Sequence, residues 1–189
     1  MNERLSKIFW FVFLFILGGA GVLFILPSAF LRVVFALLLI SALVWTIKAR
    51  TKTEVNTLAL VTAYVLSVSQ FGLHFYFRLP AWALMLFTFL WVGSLFWLGF
   101  KLRMGSAGAS SKILTLIIAL AAAEITLALV FWPTHFLITS TVFFLLFYLA
   151  WMTAHFYMTG LLNWQRITVH VVFVSVVLFI TLLTAQWTI

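Results

Sequence analysis

Eight residues hold the polar chemistry open to this sequence. Glu124 is the only acid inside any apolar stretch, within the run from Ala119 to His135. Tyr64, Ser67, His74 and Arg78 share one helical face with Phe71, at spacings of three and four along the five, and Gln70 lies beside them. Arg32 and His135 complete the set. A charged residue in the hydrocarbon core costs about 2.5–3.5 kcal/mol on insertion scales, so it usually faces protein or water. The stripe from Tyr64 to Arg78 should likewise point inward, because an unpaired polar atom in lipid costs several kcal/mol. Two roles suit it: hydrogen-bonding glue between helices, or a solvated pathway or site.

Depth brings several of these groups together. At about 1.5 Å per residue, Arg32 and His74 lie roughly 8 and 9 Å from their nearest turns, and Glu124 roughly 13 Å from its own. Arg78 and His135 sit near the surface. These five ionisable groups therefore share one half of the membrane. The expectation is a polar pocket, with Glu124 partly neutralised by Arg32 or His74. Its net basic character suits an anionic or zwitterionic solute or lipid. The competing arrangement is one Glu–Arg pair that fixes helix packing, with the histidines at the interface.

The remaining inventory excludes more than it offers. There is no Cys and no Asp, and the other acids are Glu3 and Glu54. Thiolate metal sites, disulfides and carboxylate-pair hydrolysis have no residues to carry them. His74, His135 and Glu124 are ligand types for zinc, but no HExxH or paired-His motif supports a site. His155 and His170 fit interfacial hydrogen bonding better than haem or metal ligation. No serine sits in a Gly-x-Ser-x-Gly context. No cofactor is implied, and the inventory points away from an enzyme.

The elements that position these residues are membrane helices. The chain is 66% apolar and 7% charged, with a mean hydropathy of +1.27, and its apolar runs are long enough to cross a bilayer of about 30 Å. Seven spans are expected, at about 8–25, 29–47, 57–77, 82–100, 113–131, 136–158 and 169–187. They leave room for one polytopic domain over residues 1–189. Pro27, Pro80 and Pro133 recur every 53 residues, followed by Ser-Ala-Phe-Leu, Ala-Trp-Ala-Leu and Thr-His-Phe-Leu. The pattern predicts three helical hairpins and a final single helix, as parallel repeats. Gly18-Gly19-Ala20-Gly21 and Ala119 to Ala123 read as close-packing surfaces. The Gly-, Ser- and Ala-rich loop from Lys101 to Lys112 reads as flexible.

Nine basic residues (Arg4, Lys7, Lys48, Arg50, Lys52, Lys101, Arg103, Lys112 and Arg166) fall on one side, against Arg32 and Arg78 on the other. This split accounts for the net charge of +8 without nucleic acid. It puts the N-terminus in the cytoplasm and the C-terminus outside a bacterial or archaeal membrane. Tryptophans near span ends, Trp187 among them, form an interfacial belt. Three function classes follow: binding or transport of a small solute or lipid, a non-catalytic subunit among other membrane proteins, and, with the thinnest support, an intramembrane enzyme.

Overall fold

The computed structural model describes residues 3–48, 52–104 and 109–185. Arg50, the centre of the Gly/Ser/Ala loop at 105–108, and Trp187 lie outside the described residues. Within them the chain is helical: α1 (Glu3–Ile25), α2 (Ala29–Lys48), α3 (Lys52–Phe77), α4 (Ala81–Met104), α5 (Ala109–Val130), α6 (Phe136–Met158) and α7 (Trp164–Leu183). Five of these, α3 to α7, are long and apolar enough to cross a bilayer. That gives the molecule the make-up of an integral membrane protein. In α1 and α2 the described apolar stretches are shorter, Phe9–Ile25 and Ala29–Ser41.

Local chemistry sets the helix ends. Pro27 and Pro80 lie just ahead of α2 and α4, where a missing N–H costs nothing. Gly160, at φ 66°, ends α6, and Leu161 N–H donates to the Phe156 carbonyl at 3.0 Å. This is the wrap that a left-handed residue after a helix permits. Asn163 starts α7 by accepting a hydrogen bond from Gln165 N–H at 3.2 Å, so the helix begins ahead of the expected span start at Val169.

α3 is the centre of the molecule, and two-thirds of its span is buried. α1 runs along it, α6 packs on another side, and α4 touches it more lightly. α5 runs along α4 and also meets α6, while α2 rests on α1 and α7 on α6. The closest approach of α1 and α3 uses glycine. A methyl group on Gly18 would lie 3.1 Å from Leu66, and one on Gly21 would overlap Ser69. The core is aromatic: Trp91, Phe96, Phe143, Phe147 and Trp151 interlock, with Phe96 and Trp151 centroids 5.0 Å apart.

Candidate functional site

A cleft of about 260 Å³ opens where the end of α3 meets the turn through Pro133, and Phe24 at the end of α1 packs on Phe77 beside it. Phe71, His74 and Phe75 of α3 form one wall, and Arg78 stands just beyond them. The end of α5, the turn through Trp132, Pro133 and Thr134, and Phe136 and Thr139 of α6 complete it. Thr134 and Thr139 join their hydroxyls at 3.0 Å and so fix the turn against α6.

Two side chains give the cleft its hydrogen-bonding groups. The first is Arg78, whose backbone occupies the left-handed region at φ 51°. Its N–H donates to the His74 carbonyl at 2.8 Å, closing α3. Glycine is the usual residue at such a helix end, and a residue with a Cβ is strained there. The Arg78 side chain is exposed, and its guanidinium has no partner among the described residues. The second is His74, whose Nδ1 lies 2.7 Å from the Leu79 carbonyl oxygen. A carbonyl only accepts, so Nδ1 carries the hydrogen, and Nε2 is left for other contacts. The arrangement can receive an anion: a forked donor and an imidazole stand over the apolar floor of Phe71 and Phe136.

The other sequence candidates lie elsewhere. Glu124 is on the exposed face of α5, outside the cleft lining, and has no hydrogen bond or ion pair among the described residues. Of the five ionisable groups grouped by depth, His74 and Arg78 line the cleft, and Glu124, Arg32 and His135 do not. Arg32 points back along α1 and donates Nε–H to the Leu26 carbonyl at 2.8 Å. That satisfies an orphan carbonyl and places a cation at the negative end of α1. His135 is the N-cap of α6: Nδ1 accepts from Leu137 N–H at 3.4 Å, and the ring packs between Phe75 and Phe136.

Ser67 and Gln70 are buried in helix contacts. Ser67 Oγ donates to the Tyr64 carbonyl, and Ser140 of α6 donates to the Ser67 carbonyl at 3.2 Å. Tyr64 is exposed, its ring edge-on to Phe144. Gln70 Oε1 accepts from Trp91 Nε1 at 2.9 Å and from Thr88 Oγ1 at 3.0 Å. Thr126 Oγ1 in turn reaches Thr88 Oγ1 at 3.1 Å, so one polar chain ties α3, α4 and α5 together. The Gln70 Nε2 amide is buried and unpaired among the described residues. Near the middle of α6, Tyr148 O–H and His170 Nδ1 meet at 2.7 Å and join α6 to α7.

Thr88, Trp91 and Thr126 were missed by reading the sequence for charge and spacing alone. A signal existed for Thr126. The inward face of α5 is Ser111, Thr115, Ala119, Ala122, Ala123, Thr126 and Leu129, nearly all small or hydroxylated. In membranes such residues favour helix interfaces. Among the described residues no cluster of three or more His or acidic residues could hold a metal ion. Comparison of the chain with protein families, with curated proteins and with solved structures gives no match.

Proposed function

We propose that this chain is a seven-span membrane protein whose cleft binds an anionic group, the headgroup of a lipid or a small free anion of the same chemistry. In this reading α1 and α2 also cross the bilayer, and the 53-residue recurrence makes three hairpins and a last helix. The loop charges put the N-terminus in the cytoplasm, so the cleft faces outward. The observation that carries the proposal is Arg78. Its guanidinium, at the cleft, has no partner among the described residues, although its backbone stands where glycine would be at ease. Strained residues that persist in this way gather at functional sites. A volume of about 260 Å³ falls just below the roughly 300–1,000 Å³ of drug-sized pockets, which suits a headgroup better than a large solute.

Arg78→Gly tests this directly, because it removes the charge and relieves the backbone. Binding of an anionic phospholipid should weaken about tenfold in nanodiscs, in line with a lost charge-assisted contact. Stability should hold or rise by about 1 kcal/mol, because relief of left-handed strain, roughly 1–3 kcal/mol, offsets the roughly 0.5–1 kcal/mol cost of glycine's extra freedom in the unfolded chain. Unchanged binding would remove the proposal's basis. Competition by inorganic phosphate, with no preference for anionic lipid, would identify a soluble anion instead.

A second reading, membership of a larger membrane assembly, draws support from Glu124. Its carboxylate lies on an exposed helix face and makes no contact within the chain among the described residues.

A further inference from the structure

α5 has two unlike faces. Its small and hydroxylated residues turn inward to α4 and α6, and Ile113, Ile117, Leu120, Leu127 and Phe131 are exposed. Glu124 lies in the middle of the exposed set, directly opposite the buried stripe. In a helix long and apolar enough to cross a bilayer, an ionisable side chain almost always faces protein or water. Among the described residues Glu124 has no such partner within its own chain.

Two features point to what covers it. Ala121 and Ala128, three residues before and four after, are exposed beside the carboxylate and leave room for another helix to approach closely. A carboxyl group is also its own complement: two protonated carboxyls each donate an O–H to the other's carbonyl oxygen, and a pair holding one proton still makes one O–H···O bond. Copies of one chain insert the same way, so a two-fold axis along the membrane normal brings residue i to residue i at equal depth. No cation is needed for such a pair, and Arg32, the partner the sequence suggested, turns back to the Leu26 carbonyl.

We infer that α5 is a self-association face, on which a second copy of this chain seats its own α5 with the two Glu124 side chains paired across the axis. The inference rests on the assembly reading and names its partner.

The chain has no native cysteine, so single cysteines report the contact without background. In the full chain reconstituted in nanodiscs, Ala121→Cys and Ala128→Cys should form disulfide-linked dimers under mild oxidation. Leu37→Cys, on the exposed face of α2, should not. Adding Glu124→Ala should lower crosslinking about tenfold, the upper range for one hydrogen-bonded contact between membrane helices. Glu124→Gln should keep it, because an amide also donates and accepts. Thermal unfolding of the protomer should not shift, which separates lost association from lost fold. Equal crosslinking with and without Glu124, or α5 cysteines that stay monomeric, overturns the inference. If the purified chain is monomeric yet co-purifies from native membranes with a different protein in a Glu124-dependent way, self-association fails and the assembly reading stands.

Discussion

Gln70 is the residue on which the polar interior turns. Its carbonyl oxygen receives both Trp91 and Thr88, and the indole N–H can only donate, so the orientation of the amide is settled by its partner. The cost of this arrangement is the unpaired Nε2. Removing the amide therefore has opposing effects. Gln70→Leu deletes an orphan donor but strips Trp91 of its acceptor in a buried site. Hydrogen bonds between membrane helices average only about 0.6 kcal/mol and reach about 1.7, so we expect a loss near 1 kcal/mol. In a double-mutant cycle, Gln70→Leu with Trp91→Phe should cost less than the sum of the single changes, measured by unfolding in detergent. Strict additivity would mean that the bond contributes nothing. The sequence showed Gln70 as polar and interior but not its partners, because Thr88 and Trp91 are ordinary members of an apolar run. For Glu124 the sequence supplied depth and withheld direction. Large aliphatic residues surround it on one side and alanines on the other, and both are apolar, so periodicity alone did not separate lipid from protein. The hydroxyls of Thr115 and Thr126 on the opposite face carried that information.

At the scale of elements, the glycine run of α1 was legible. Gly18 and Gly21 lie three residues apart on the side that meets α3, where Leu66 and Ser69 approach the backbone. The Ser69 hydroxyl can rotate away from an added methyl group, but its Cβ, 2.9 Å from that methyl, cannot. Gly21→Ala must therefore push α1 from α3, at the roughly 1–3 kcal/mol typical of overpacking. We expect a lower unfolding midpoint for Gly21→Ala and no such loss for Gly93→Ala, where an added Cβ would meet only Ala119 at 3.5 Å, an ordinary contact. If Gly21→Ala is neutral, the two helices do not approach this closely. The beginning of α7 was less legible. Arg166 drew attention as a loop charge, whereas Asn163 offers the cap that starts the helix before it. A lone arginine near a helix start is compatible with the interface, so charge alone does not show where the helix begins.

Across the whole molecule, packing does not copy the sequence recurrence. The chain returns through a proline turn at regular intervals, yet α1 runs along α3 while α5 runs along α4. A recurring turn specifies where the chain reverses, and side-chain volumes then decide which helices press together. Gly18 and Gly21 draw α1 onto α3. Ser111, Thr115 and Ala119 turn toward the interior side of α5, which runs along α4. The reading of three hairpins and a last helix thus makes a claim about sidedness that packing does not test. All three proline turns should reach one side of the membrane, and the loop after α6 the other. Ser28 and Leu162 are exposed at opposite ends of the bundle, and the chain has no cysteine to compete with a label. In intact cells, Ser28→Cys and Pro133→Cys should react with a membrane-impermeant maleimide. Leu162→Cys should react only after the membrane is opened. Labelling of Leu162→Cys from outside would reverse the orientation and turn the cleft inward. Labelling of Ser28→Cys and Pro133→Cys from different sides would break the seven-span arrangement itself, since an even number of crossings must separate two turns on the same face.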